Sequence, residues 1–312
     1  MQRIIITSIR LILLAAVFLF SGQVSVHAKT VGIVMTGDIP FYHAIHKELL
    51  KEMSSYFDEK NIEVVTQTPL PNPMAWTNAA RKLKALGSEV IVAYGLPATL
   101  ATMKEAGGIP VVYAGVYSPE TMNVAGKRAT GISSTVSIKT VLRKLKSISD
   151  LKNIGIVFNK TEKDSIIQAR EVKKFEKKLG FKTVLLSISS SKIEGGDKIA
   201  KCDALLLTSC SAGMCKPHLP EIVKLARQSN VPTVALISGA ESMVVMTLSP
   251  SATEQGVKAA GMLRKVLEGE SIANIPPLDP EEVELIVNLK EARGMGIEMS
   301  KEILDSATRV IE

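Results

Sequence analysis

Cysteine, histidine and tryptophan are scarce in this chain, and the usual signatures of enzymes and nucleotide binders are missing. Of 312 residues, three are cysteine, four are histidine and one is tryptophan. No GxGxxG follows the first β-like run, and GxxxxGK[ST], GxSxG and HExxH do not occur. A dinucleotide turn, a P-loop, a hydrolase elbow and a zinc-protease helix are therefore each without their residues, and no nucleophile–base set is recognisable. His43 and His46 have the i,i+3 spacing of a metal pair but no third ligand close in sequence, while His27 lies in the N-terminal segment and His218 follows Pro217. No metal and no cofactor are expected. Long apolar runs are lacking too. The most pronounced, Leu11 to Phe20, has ten residues, half of the roughly 20 that cross a bilayer.

That run is preceded by Arg3 and Arg10 and followed by Val26-His27-Ala28, with small residues at the two positions a signal peptidase reads. The pattern predicts a secretory signal over residues 1–28, removed before Lys29. No cysteine stands near the cut for a lipid anchor, which points to a free protein of the periplasm. The formal charge of +7 becomes +5 when Arg3 and Arg10 leave, because residues 1–28 hold no acid. The remaining lysines are spread along helical stretches and read as solvated faces, so nucleic acid is not an expected partner; the mild excess favours an anionic ligand or partner. After residue 28, 284 residues remain (312 minus 28), close to the size at which chains divide into two domains. Cys202, Cys210 and Cys215 are an odd number, leaving at least one unpaired within a monomer. Cys210 and Cys215 flank four residues and are expected to close as a disulfide in an oxidising compartment, with Cys202 a small buried residue. A copper or haem site using Met214 lacks CxxC or CxxCH spacing.

Short β-branched runs alternate with charged amphipathic stretches along the rest of the chain. Runs at 30–35, 63–67, 90–94 and 110–114 are separated by helical patterns at 40–57, 74–86 and 98–105. A second series sets runs at 153–158, 183–187, 204–208 and 233–237 among helical patterns at 138–146, 163–179, 195–201 and 219–228. This alternation predicts an α/β fold of two Rossmann-like lobes on mostly parallel sheets. The polar stretch 121–135 reads as a connection. A run at 243–248, an apolar-striped helix at 251–267, a Pro276-Pro277 connection, a short strand at 285–287 and helices at 289–295 and 300–310 make a tail too small for a third domain.

Several strings carry a resemblance through their order and spacing: VGIVMTGDIPFYHAIHKELLKEM at 31–53, GSEVIVAYGLPATLATMKEAGGIPVVYAGVYSP at 87–119, TGISS at 130–134, KNIGIVFNKTEKDSIIQAREVKKFEKKLG at 152–180 and EVELIVNLKEARGMG at 282–296. Together they resemble the ABC-transporter substrate-binding family related to the tryptophan-binding importer component, over essentially the whole chain after residue 28. The resemblance implies a type I periplasmic-binding-protein fold, two lobes joined by three crossovers with a ligand in the cleft. It places the N-terminal lobe at 29–125 and 248–278, the C-terminal lobe at 126–247 and 279–312, and crossovers near 119–131, 238–249 and 276–284. It also implies a small-molecule ligand, an ABC importer's membrane permease as partner, and a monomer.

Ligands of open α/β sheets sit beyond the carboxyl ends of the strands, where helix-start amides hold anions. Candidate binding residues are therefore Asp38, Phe41, Gly95, Pro97, Ala98, Thr99, Gly115, Val116 and Tyr117 on the first lobe, and Asn159, Asp164, Ser165, Ser209, Cys210, Ser238 and Gly239 on the second. Ala98 and Thr99 are expected to offer amides and a hydroxyl to a ligand carboxylate. Asp164 and Ser165 either do the same or cap the following helix; Asp38 either holds an ammonium or solvates its loop. Phe41, Tyr94, Tyr113 and Tyr117 are candidate walls, with strand core the other reading for Tyr94 and Tyr113. Trp76 either packs or stands exposed for a partner. The resembling family usually carries a Thr-Asp-Asn-like group after residue 208 and a Ser-Asp- or Ser-Glu-like group after residue 237. This chain has Thr208-Ser209-Cys210-Ser211 and Ser238-Gly239-Ala240-Glu241 instead, so an acid expected to hold a ligand ammonium is missing from one or both loops. The expected function is extracytoplasmic solute binding without catalysis, with an aromatic or branched-chain amino acid as leading ligand. A periplasmic sensor that engages a membrane receptor is the rival.

Overall fold

The computed structural model describes residues 28–58, 61–124, 126, 128–188, 192–210 and 218–312; residues 1–27 of the expected signal lie outside them. The first sheet is built from β1 (Lys29–Met35), β2 (Ile62–Gln67), β3 (Val90–Tyr94), β4 (Val111–Val116) and β5 (Ala129–Ser133), in the order β2-β1-β3-β4-β5. All of its pairings are parallel. Between the strands run α1 (Pro40–Tyr56), α2 (Pro73–Ala85) and α3 (Leu96–Glu105). Helices on both faces bury β3 and β4 at every position, and for that reason these runs are continuously apolar and not alternating.

The second lobe repeats the plan. It contains α4 (Ile138–Lys146), β6 (Asn153–Asn159), α5 (Lys163–Lys173), α6 (Glu176–Leu179), β7 (Lys182–Ile188), β8 (Ile193–Glu194), β9 (Ala204–Leu207), α7 (Leu219–Gln228), β10 (Thr233–Ala235) and β11 (Met246–Pro250). After α8 (Ala252–Leu267) come β12 (Val283–Asn288), α9 (Leu289–Gly294), α10 (Lys301–Asp305) and β13 (Arg309–Ile311). The sheet order is β13-β12-β11-β10-β9-β6-β7-β8, with β8 antiparallel to β7, β12 antiparallel to β11 and β13 parallel to β12. Its central run β7-β6-β9-β10-β11 has the second-first-third-fourth-fifth order of the first sheet. Each lobe therefore reverses its winding at an equivalent place, between β1 and β3 and between β6 and β9, and a crevice opens outside the carboxyl ends of those strands.

Sheet membership moves two of the expected lobe boundaries. β5 pairs with β4 of the first sheet, so residues 129–133 belong to the first lobe and not to a second lobe starting at 126. The chain crosses after Ser133, since Val136 and Ile138 already pack in the second core. The sequence ATGIS conceals this strand because the site demands small residues: a Cβ on Gly131 would lie 2.1 Å from the Tyr113 carbonyl oxygen. Likewise β11 stays in the second sheet to Pro250, putting the second crossover at 250–251 instead of within 238–249. Ile275 packs in the first core and β12 pairs in the second sheet, while Leu278 exchanges backbone hydrogen bonds with Gly131 (2.9 Å) and Ser133 (2.8 Å). Two helical expectations also change. The stretch 163–179 is split into α5 and α6, and the last helix stops at Asp305 so that the β-branched Val310 and Ile311 extend the sheet edge beside β12.

Two devices on α8 hold the crossovers. Gly256 faces α1 so closely that a Cβ would lie 2.7 Å from the Ile45 carbonyl oxygen and from Glu48 Cβ. Glu254, 8% exposed, accepts the amides of Glu281 and Glu282 at 2.9 Å each and pairs with Lys258 at 2.6 Å. Burial alone pushes the Glu254 carboxyl up, but Lys258 and the two amides outweigh it and hold the group below its ordinary range.

Replacing Gly256 by Val is expected to destabilise the protein by about 1–3 kcal/mol or more, seen as a lower urea midpoint. Glu254→Gln is expected to lose roughly 1.5–3 kcal/mol at pH 7. A depressed carboxyl contributes stability that is present above its unfolded value and lost as pH falls through the folded one. The deficit of the variant therefore shrinks on acidification below the ordinary glutamate range, measurable by urea unfolding across a pH series.

Candidate ligand-binding cleft

At the first switch point the lobe laces itself shut. The Thr36 hydroxyl donates to the Tyr94 carbonyl at 2.8 Å and accepts the Ala98 amide at 3.2 Å, so one side chain joins the end of β1 to the start of α3. Thr99 is buried, with its amide and hydroxyl both donating to the Gly95 carbonyl (3.1 and 2.7 Å). The amides and hydroxyl expected to cradle a ligand carboxylate are thus engaged within the lobe. Tyr42 covers them. Gly95 has φ +82°, and a Cβ there would meet the Tyr42 hydroxyl at 2.3 Å, so glycine serves both the turn into α3 and the seat of the ring. Tyr42 also stacks on Tyr94, with centroids 6.4 Å apart and planes at 17°.

The second switch point is laced in the same manner. Asn159 donates its amide to Ser165 Oγ at 2.9 Å; Ser165 Oγ lies 2.5 Å from Thr208 Oγ1, and Thr208 Oγ1 donates to the Val157 carbonyl at 3.0 Å. Gln168 Oε1 accepts the Ser209 amide at 2.7 Å, and its Nε2 donates to Ser209 Oγ at 3.1 Å. Asn159 and Ser165 are buried in this network. Asp164 sits one residue inside the helix and not at its cap, which is Glu162. It is 5% exposed, and its Oδ1 accepts the Ser165 amide at 3.0 Å. Burial first, and then the charge of Glu162, push its carboxyl up to about 7, against an opposing pull from backbone hydrogen bonds.

Between the lobes the carboxyl ends of both sheets enclose a cavity lined by Phe41, Tyr42, Gly115, Tyr117 and Ser134 on one side and Asp164, Ser209, Leu236 and Ile237 on the other, with Pro250 at the crossover. Its volume is about 10 Å³. That is room for about one water, whereas ligand pockets run to roughly 300–1,000 Å³. The lobes are therefore closed on each other. Tyr117 spans the seam, its hydroxyl donating to Glu171 on α5. Burial and that carboxylate raise the phenol far above its usual range. Grooves flank the cavity along the lobe boundary. One, of about 590 Å³, runs between Trp76, Pro97, Leu100 and Lys104 and the second lobe's Thr161 and Lys163; another, of about 450 Å³, lies between Pro40 and Phe41 and the second lobe's Ser238, Gly239 and Glu241.

Of the residues expected from sequence, the cavity brings together Phe41, Gly115, Tyr117, Asp164 and Ser209. Asp38 does not join them: its side chain is 77% exposed and bonded to His43 Nε2 at 2.7 Å. Gly95 lies against Tyr42, Ala98 and Thr99 are fully buried, Val116 packs in the first-lobe core, and Pro97, Ser238 and Gly239 line the flanking grooves. Cys210 is disulfide-bonded and Cys202 is a buried free thiol; Cys215 lies outside the described residues. Tyr94 and Tyr113 are wholly buried strand core, and Trp76 is buried with Nε1 donating to the Thr36 carbonyl at 2.7 Å. Sequence reasoning missed Tyr42, Ser134, Glu171, Leu236, Ile237 and Pro250 at the seam. It also missed Gln168, although its position three and four residues beyond Ser165 and Asp164 placed it on their helix face.

Comparison with known proteins agrees with this geometry. The family model described as ABC transporter substrate binding protein matches residues 43–311. A tyrosine-binding protein of Clostridioides difficile (strain R20291) is 25% identical over 273 residues, 83% of this chain and 79% of that protein. A conserved domain protein of Vibrio cholerae superposes with a TM-score of 0.84 at 21% identity, covering 91% of this chain and 100% of the other. An ABC domain from Streptococcus pneumonia in complex with L-Trp gives 0.83 at 20% identity, with the same coverages. The ligand-free, open structure of a substrate-binding protein with adhesive properties from Clostridium difficile gives 0.71 at 24%, covering 91% and 99%. The architecture is the type I periplasmic-binding-protein fold, and the chain belongs to the ABC transporter substrate-binding protein family.

Proposed function

We propose that the protein is an extracytoplasmic solute-binding protein that closes its lobes on an aromatic or branched-chain amino acid and delivers it to the permease of an ABC importer. The observation that carries this reading is the cavity between the two switch points, with three aromatic rings, Leu236 and Ile237 around one carboxylate. Aromatic and branched walls suit an apolar side chain. The tyrosine-binding relative and the L-Trp complex support the ligand class. The closed arrangement is supported by the TM-score, which is higher against the L-Trp complex than against the open, ligand-free structure. No covalent step is needed: the ligand stabilises the closed state, and that state is what a permease reads. Residues 1–28 direct the chain to the periplasm, where it acts as a free monomer, and a Cys210–Cys215 disulfide stiffens the loop after Ser209.

A ligand can enter only if the lobes part, so the radius of gyration from small-angle scattering is expected to fall when L-tyrosine, L-tryptophan or L-leucine is added to the ligand-stripped protein. Native mass spectrometry is expected to show a one-to-one adduct lost on denaturation. No change in scattering and no adduct with any of the twenty standard amino acids would sink the amino-acid reading. Tyr117→Phe removes the hydroxyl that bridges to Glu171 and makes closure about 1.5–3 kcal/mol less favourable. The bound amino acid is then held on the order of 10- to 100-fold more weakly, with the apo fold intact by circular dichroism.

A further inference from the structure

The geometry points to Asp164 as the residue that receives the ligand's positively charged nitrogen, and so to an ammonium-bearing ligand; this rests on the binding-protein reading of the cleft. Among the described residues Asp164 is the one charged side chain lining the cavity. It is 5% exposed. No lysine, arginine or histidine among the described residues forms an ion pair with it, and its Oδ1 accepts the neighbouring Ser165 amide at 3.0 Å.

Burying a carboxylate without a cation is costly, and the group either pairs or stays neutral. Here the titratable groups that bear on Asp164 are Glu162 from its own loop and Tyr42 from α1 across the seam. Neither brings positive charge. The carboxyl is accordingly held protonated up to about pH 7. An arriving ammonium converts this unfavourable position into an ion pair. The rings of Phe41, Tyr42 and Tyr117 line the same cavity, and aromatic faces also attract a cation.

The loops where the resembling family carries acids do not compete for this role. Ser209 is held by Gln168, and Glu241 turns back to accept the Gly239 amide at 2.8 Å. Ser209 and Asp164 nevertheless border the same cavity. The acid absent at 209 is replaced by one projecting from the first turn of α5.

Asp164→Asn tests the assignment, because the amide keeps an oxygen for the Ser165 amide while losing the charge. Titration calorimetry at pH 8 would compare purified wild type and variant with L-tyrosine, L-tryptophan and L-leucine. The same comparison would use 3-(4-hydroxyphenyl)propionate, which lacks the ammonium, and tyramine, which lacks the carboxylate. The expected result is at least a tenfold loss of amino-acid affinity in D164N with no change for the propionate. Wild-type affinity should fall as pH drops through 7 while D164N stays flat, and apo D164N should melt at or above the wild-type temperature at pH 8. Equal amino-acid affinity in the two proteins, or a D164N that melts lower, makes Asp164 structural and overturns the assignment while the amino-acid reading stands. Wild type binding tyramine and no amino acid, with tyramine lost in D164N, keeps the anchor and discards the amino-acid reading. Binding of none of these compounds by wild type overturns both.

Discussion

The contact of α8 with α1 is the constraint on which the two-lobed form depends. α8 follows a strand of the second sheet, yet its apolar stripe, including Ala259, Ala260 and Leu263, is buried in the first-lobe core with Ile45 and Leu49. Gly256 allows the two backbones to meet. Docking α8 there obliges the chain to cross between lobes twice more than two sequential domains would need. The three crossings tie the lobes together along one side of the cavity, and Gln255, from the first turn of the same helix, ties the Gly115 amide (2.8 Å) and the Ser133 carbonyl (2.7 Å) there.

Given those crossings, each lobe has to survive with its cleft surface wet or dry. The Thr36 lacing in one lobe and the Asn159–Ser165–Thr208 chain in the other satisfy the polar groups at the strand ends internally. Parting the lobes therefore leaves those networks intact, and what is exposed is the seam: aromatic rings, Leu236, Ile237 and the carboxyls of Asp164 and Glu171. The apolar part of that seam favours closure and the carboxyls oppose it. A protein that reports occupancy by its shape requires these opposing contributions to lie close enough for a ligand to tip them.

The lobes were legible in the sequence wherever burial on both faces produced continuous apolar runs, as in Val90-Ile91-Val92 and Ala204-Leu205-Leu206. They were not legible where packing demanded small residues. Ala129–Ser133 is a buried strand that reads as a polar linker, because Gly131 must pass within contact of Tyr113, and this moved a lobe boundary. The cleft was half legible for a related reason. Strand-end loops are located by topology, so Gly115, Tyr117, Asp164 and Ser209 were found. Whether a loop amide faces the ligand or its own lobe depends on a partner far away in sequence. Ala98 is satisfied by Thr36, 62 residues away, and the neighbouring Gly95 is covered by Tyr42, which nothing local distinguishes from the rest of the amphipathic α1.

The placement of the cleft acid also bears on why an empty cleft should not stay shut. A carboxyl whose pKa closure raises contributes most to the closed form below the ordinary aspartate range and loses that contribution progressively as pH rises through about 7. Near neutral pH or above, the closed form without a cation must either keep a proton on Asp164 or bury an uncompensated charge. An ammonium removes both costs, so the same carboxyl that penalises empty closure rewards occupied closure. An acid on a more exposed loop would lose much of this discrimination, because water would screen it in both states. Setting it on the first turn of α5, buried against Tyr42, makes the penalty and the reward scale together with desolvation, and discrimination between full and empty protein then comes from the fold itself.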